Sequence, residues 1–207
     1  MTDLAVIVVG MDQWEEWTLP AIISLKKHLP TARLFVMDAG REPYPQMDGV
    51  TIIRMEGSPS YAHNLNEGVK AAGPADWYLM LNNDVLAYEP LDMGQLDPAN
   101  IYAKRILAEN GHEWLELWLA LISRQVWEKV GEWDEGFRMC GFDDADYSLR
   151  AQAQGIQIVP LKWNIKHFWG KTRWAVPGYK QVREANIDYF ERKWGWRPGQ
   201  NVKVVYE

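Results

Sequence analysis

Short apolar runs of strand length alternate with stretches of helical periodicity through the first half of the chain. Residues 4–9 are apolar and mostly β-branched up to Gly10, which predicts a buried first strand with its turn. Over 19–29, Leu19, Ile22, Ile23, Leu25 and Leu29 fall near one helical face, with Thr18 as N-cap, Pro20 in the first turn and Pro30 as the stop. A second strand is expected at 33–37, with Asp38-Ala39-Gly40 at its tip. Strand, helix and strand in that order form a right-handed parallel crossover, which sets Gly10 and Asp38 on one sheet edge. A third strand at 50–55 and a helix at 61–72, closed by Gly73-Pro74, continue the alternation.

The most informative stretch is 75–85, where an apolar run of strand length breaks into Asn82, Asn83 and Asp84. Such a run reads as a strand buried on both faces. Its polar triplet then sits at the carboxyl end, where open α/β sheets bind their ligands. A carboxylate with amide oxygens beside it suits a hard divalent cation that keeps part of its shell for phosphate. The triplet also suits an ordinary polar turn.

The second half is less regular. A loop is expected at 88–100, strands of mixed pattern at 101–107 and 114–122, and a helix at 124–130 capped by Ser123 and closed by Gly131. Phe142-Asp143-Asp144-Ala145-Asp146 opens a helix that runs to Gly155, with its acids at the positive end of the helix dipole. Strands at 156–160 and 163–168 and a final amphipathic helix at 179–194 complete the chain.

Composition narrows what these elements can do. The 207 residues suffice for one well-buried domain, and a second would be cramped. A net charge of -6 offers no basic footprint for nucleic acid. The single Cys140 excludes an intramolecular disulfide or a zinc cluster and fits a reducing cytoplasm. No window approaches the ~20 apolar residues of a membrane span, so any membrane association is expected to be peripheral. Twelve tryptophans are an unusual load, suited to core packing or to stacking on sugars and bases.

Asp143, Asp144 and Asp146 cannot all point one way, because neighbours on a helix are ~100° apart. One or two can face a crevice while the others cap the helix or stay in water. His167 alternates with apolar residues as a strand-end residue would, and with Asp84 it offers the mixed oxygen and nitrogen set that Mn2+ or Mg2+ accepts.

Taken in order, these pieces resemble the family-two glycosyltransferases, the inverting GT-A enzymes that use nucleotide sugars. The matching residues are 6–10, Asp38, Asn64-Leu65-Asn66-Glu67-Gly68, Leu81-Asn82-Asn83-Asp84, Ile122-Ser123-Arg124, Gly131-Glu132-Trp133-Asp134-Glu135, Asp143-Asp144-Ala145-Asp146 with Leu149 and Arg150, His167, and Lys193-Trp194. The resemblance implies a single α/β GT-A domain over 1–207 with a mostly parallel central sheet. Residues 1–100 would form its nucleotide-binding half and 101–207 its acceptor and catalytic-base half.

By the same resemblance, Asp38 contacts the base or ribose, and Val8, Val9 and Gly10, with Asn64, Asn82 and Asn83, form the nucleotide site. Asp84 stands at the last acid of the Asp-Xaa-Asp motif and His167 at the family's late His, both on the metal. Asn82 replaces that motif's first Asp. Asp144 is the expected general base, with Asp143 where the family has Glu. Trp133 and Trp169 are candidates for stacking on an acceptor, and Lys171 and Arg173 for a lid around 170–173. The expected donor is a UDP-, GDP- or dTDP-sugar. The acceptor hydroxyl stays open among glycan, lipid-linked glycan, protein and modified DNA base. Two other classes share parts of the pattern. A nucleotidyltransferase would need a basic, Gly-rich loop where the chain has Gly10-Met11-Asp12, and a non-catalytic sugar- or nucleotide-binding module has no use for Asp84, Asp144 and His167 together.

Overall fold

The computed structural model describes residues 2–56, 60–108, 111–169, 178–198 and 202–203. The amino-terminal half of the sheet is parallel, with β1 (Leu4–Gly10), β2 (Arg33–Asp38), β3 (Thr51–Arg54) and β4 (Trp77–Asn82) in the order β3-β2-β1-β4. Along β1, Ala5, Ile7 and Val9 face the cluster that includes Leu65 and Val69 of α2 (Tyr61–Ala72). Leu4, Val6 and Val8 face the cluster that includes Ile22 and Leu25 of α1 (Leu19–His28). Both faces are covered, so the strand tolerates no polar residue. At Gly68 of α2 a Cβ would lie 2.5 Å from Ile7 Cγ2, so glycine lets the helix approach this strand closely.

β4 pairs antiparallel with β7 (Glu113–Ser123), and β7 with β6 (Ile101–Ala108). β8 (Ile158–Pro160) joins β6 in parallel and β10 (Val202–Lys203) joins it antiparallel. Among the described residues, four of the seven pairings in this sheet are therefore parallel. α3 (Arg124–Val130) starts at Ser123, whose hydroxyl accepts from Val126 N as expected. α4 (Asp143–Gln152) and α5 (Tyr179–Trp194) meet in a third cluster around Phe190, Phe137, Ala145 and Trp114. Among the described residues, no helix is long and apolar enough to cross a membrane.

Three features depart from the sequence reading. A π-helical turn at Trp14–Thr18 precedes α1, and Thr18 has helical dihedrals and no capping bond. Its hydroxyl instead donates to Tyr44 Oη and accepts from Asn83 Nδ2. A short strand, β5 (Val85–Ala87), lies directly after the polar triplet and pairs with β9 (Ile165–His167).

Candidate active site

The parallel register aligns the strand tips. Gly10 is opposite Asp38, and Val9 is opposite Asn82. The cleft above them is lined by Val9, Gly10, Met11 and Ala39, by Tyr61 and Asn64 of α2, and by Asn82 and Asn83 at the tip of β4. Beyond β4 the wall passes to Glu116, Leu117 and Trp118 of β7, the loop residues 139–141, Asp143 and Asp144 of α4, and then His167, Trp169 and Tyr179. The sheet order β2-β1-β4-β7 thus sets the order of groups across the cleft.

Two nucleotide-side candidates, Val8 and Asp38, lie beneath this surface, and Asn83 lines it with its side chain engaged in the wall. Val8 is fully buried in the core. Asp38 is 1% exposed, accepts from Gly40 N and Tyr44 N at 3.1 and 2.8 Å, and pairs with Arg54 Nη1 at 3.1 Å. Its carboxylate anchors the loop after β2, and Ala39 is the neighbour that reaches the cleft. Asn83 Nδ2 donates to Thr18 Oγ1, Thr18 Oγ1 to Tyr44 Oη, and Tyr44 Oη to the Asp12 carbonyl, a relay that ties the β1–α1 loop to the tip of β4. Asn64 also lines the cleft, is 2% exposed, and its Oδ1 has no hydrogen-bond partner among the described residues. A buried amide oxygen of that kind is a ready acceptor for a bound ligand.

The β5–β9 ladder explains how Asp84 and His167 meet across the sequence. Val85 is opposite His167, and Phe168 N donates to the Asp84 carbonyl. His167 Nε2 consequently lies 3.1 Å from Asp84 Oδ1, and Asn82 Nδ2 lies 3.3 Å from the same nitrogen. The Trp118 ring stacks on the imidazole, centroids 4.7 Å apart, and Tyr61 Oη donates to Asn82 Oδ1 at 2.7 Å. Among the described residues, no group of three His, Cys, Asp or Glu side chains could hold a metal ion. Asp84, 1% exposed and not itself part of the cleft lining, and His167, which is part of it, would supply one carboxylate oxygen and one imidazole nitrogen, a donor set that Mn2+ or Mg2+ accepts.

Asp144 stands at the start of α4, and neither it nor Asp143 caps that helix. The N-cap is Phe142, with a left-handed φ of 68° and no side-chain capping bond. Asp143 Oδ1 accepts from Gly141 N and Asp144 Oδ1 from Ala145 N. Burial pushes the Asp144 carboxyl up to about 7, reinforced by the charges of Asp143 and Glu116 and opposed by backbone N–H groups. Burial likewise raises Asp143 to about 6. Tyr61 is raised well above its ordinary value by burial and then by Asp143, Cys140, Asp84 and Asp144, so it remains a neutral donor. Asp146 has a different task. It is fully buried and held by Arg150, Lys193 and the Trp194 indole, which makes it a brace between α4 and α5.

Among the described residues, the non-glycine positions with positive φ are Asp12, Gln13, Met139, Phe142 and Trp169. Met139 and Trp169 line the cleft, and Asp12 and Phe142 adjoin lining residues. Strained backbone of this kind, of order 1–3 kcal/mol each, gathers at functional sites. Trp133 is absent from the cleft: it is 2% exposed and stacks on Tyr147 at 4.0 Å in the core. Trp169 is 46% exposed beside His167. Lys171 and Arg173 lie outside the described residues. Sequence reasoning missed Tyr61, Glu116, Trp118 and Tyr179. Tyr61 opens a helix aimed at the tip of β4, a signal that could have found it.

The architecture matches solved structures closely. GalNAc-T7 with UDP, GalNAc and Mn2+ superposes with a TM-score of 0.69 over 92% of this chain and 50% of that one, at 12% identity. A Drosophila β1,4-galactosyltransferase 7 mutant in complex with manganese, UDP-Gal and xylobiose gives 0.58 over 88% of this chain and 80% of that one, at 13% identity. The chain has the GT-A glycosyltransferase fold. At such identities the likeness concerns that fold alone. No protein-family model matches the chain. By sequence, polyketide synthase PksL of Bacillus subtilis is 24% identical over 167 residues, 80% of this chain. O-antigen biosynthesis protein RfbC of Myxococcus xanthus is 41% identical over 56 residues, 24% of this chain. Each alignment takes in 4% of the relative's length.

Proposed function

We propose that the chain is an inverting glycosyltransferase that moves one sugar from a UDP-, GDP- or dTDP-sugar to an acceptor hydroxyl. The observation that carries this reading is one cleft lined by both Asp144, a carboxyl raised to about 7, and His167, whose Nε2 lies 3.1 Å from the buried Asp84 carboxylate. Residues 1–100 supply most of the donor side and 101–207 the acceptor side.

The nucleotide lies along the tips of β1 and β2, where Asn64 Oδ1 awaits a donor and the Tyr44 relay stiffens the wall. Asp84 and His167 would hold Mn2+ or Mg2+, which neutralises charge growing on the leaving diphosphate. Tyr61 and Trp118 keep Asn82 and His167 in place beside that group. In the same cleft, Asp144 takes the proton from the attacking hydroxyl, and a carboxyl near neutrality is matched to that task. A single displacement inverts the anomeric centre. The solved neighbours bound to UDP, UDP-Gal and manganese support the donor and metal parts of this reading.

The test is release of nucleoside diphosphate from a donor panel with Mn2+, followed by NMR of the product linkage. Inverted configuration is expected. No release from any donor refutes transfer, and a retained configuration refutes the single displacement.

A further inference from the structure

α2 lies across β1 and β2 with its first turns at the strand tips. A Cβ at Gly68 would meet Ile7 Cγ2 at 2.5 Å and Met37 Sδ at 3.3 Å, so this face of the helix rests between the two strands. Asn64 is on the same face one turn earlier, about 6 Å nearer the helix amino terminus. Two residues on from Ile7 and Met37 the chain reaches Val9 and Ala39, both of which line the cleft. Asn64 therefore enters the cleft at its β1–β2 end. Tyr61, three residues before it, bonds Asn82 Oδ1 at the tip of β4, beside His167. The start of α2 thus spans the strand tips from the expected diphosphate end to the loop after β2.

Two acceptors from the sequence pattern meet at this end, and only one of them faces the cleft. The Asp38 carboxylate is taken by Gly40 N, Tyr44 N and Arg54. Asn64 Oδ1 is buried without a hydrogen-bond partner among the described residues, in a side chain that lines the cleft. The lining residues Val9, Met11 and Ala39 at this end are apolar. Such surroundings suit the edge of a flat ring that carries an N–H to the buried oxygen. A phosphate would bring a lone pair against Oδ1, and a ribose has several hydroxyls to satisfy.

We propose that Asn64 reads the base of the nucleotide: its Oδ1 accepts the imide N–H of uracil or thymine, a contact the sequence pattern gave to Asp38, and so selects uridine and thymidine diphosphate donors. The assignment rests on the glycosyltransferase reading and deepens it, because that reading leaves guanine open beside uracil and thymine. Uracil and thymine carry a single N–H on the edge away from the sugar, one proton for one oxygen. Cytosine in the same pose has a bare ring nitrogen there, which sets a lone pair against Oδ1. Guanine adds an exocyclic amine beside its ring N–H and carries it into apolar surroundings.

The full chain is titrated by calorimetry in Mn2+ with UDP, its N3-methyl and 2′-deoxy analogues, CDP and GDP. UDP is expected to bind at least about tenfold tighter than 3-methyl-UDP, CDP and GDP, while 2′-deoxy-UDP stays within about threefold of UDP. Asn64→Leu, of similar volume, should bring the UDP-to-CDP ratio to within about threefold of unity. Asn64→Asp keeps an oxygen in that place and removes the amide N–H, so it should retain the preference for UDP. Each ratio is taken within one variant, so loss of folded protein cancels. CDP, GDP or 3-methyl-UDP bound as tightly as UDP would overturn the assignment while nucleotide binding stands. A UDP preference that survives in Asn64→Leu or disappears in Asn64→Asp would do the same, as would a loss on 2′-deoxy-UDP equal to that on 3-methyl-UDP, which marks a ribose contact. Absence of binding to every nucleotide removes the donor site, and the glycosyltransferase reading with it.

Discussion

Replacing Asp144 by asparagine removes the proton acceptor and leaves the shape of the wall almost unchanged. A general base contributes about 100-fold or more, so turnover should fall by at least that factor, about 2.7 kcal/mol in activation free energy, while donor affinity stays near the parent value. The pH dependence is more diagnostic than the loss itself. With its carboxyl raised to about 7 by burial and by the charge of Asp143, Asp144 gains its charge as pH rises through neutrality, so parent turnover should climb several-fold between about pH 6 and pH 8. The residual activity of the variant should be flat there.

Stability should move the other way. Both carboxyls are raised above the ordinary 3.8, so the folded chain binds more protons than the unfolded chain between pH ~4 and ~7. Their contribution favours folding in acid and is lost as pH rises through about 6 and about 7. The asparagine side chain of Asp144→Asn carries no such charge, so the melting temperature of the variant at pH 8 should equal or exceed that of the parent. Steady-state kinetics from pH 5.5 to 8.5 with thermal melts at both ends provide the assay. A variant whose turnover keeps the parental rise with pH would show that another group takes the proton.

Asp84→Ala should abolish the strengthening of nucleotide binding by Mn2+, and calorimetry showing that strengthening intact would remove Asp84 from the metal site. Tyr61→Phe deletes the hydrogen bond to Asn82 Oδ1 and should weaken metal-dependent nucleotide binding by about 1 kcal/mol, roughly fivefold, measured in the same titration. Asn66→Ala should cost about 2–4 kcal/mol in urea denaturation without changing acceptor preference. That amide is fully buried and bonds Trp133 N, the Trp133 carbonyl and Glu135 Oε1. A shift below 1 kcal/mol would contradict its bracing role.

The parallel half was legible because its periodicities are unambiguous. Residues 4–9 carry no polar position, the helix at 61–72 is reproduced to the residue, and the break at Asn82 does mark a strand tip. The polar residues misled wherever their partners come from distant segments. Thr18 reads as a cap until Tyr44 and Asn83 arrive beside it. Asn66 and Lys193 belong to the motif pattern, yet one holds the loop at Trp133 and the other braces Asp146. Trp133 and Trp169 are indistinguishable by composition, and tertiary packing alone buries the first and exposes the second. Glu116 stayed hidden because the register of β7 against β6 shifts between Ala103 and Lys104, which disrupts the alternation from which a strand face is read.

The two-stranded β5–β9 ladder has a consequence for how the molecule matures. Asp84 and His167 belong to segments that the chain must complete more than two thirds of its length to bring together. Closing so long a loop comes late among folding events, after the local crossover units have formed. Cation affinity should therefore be a marker of finished folding. In refolding experiments a manganese-dependent signal should lag the recovery of backbone order, and a fragment ending at residue 100 should bind the ion poorly even where its strands are native.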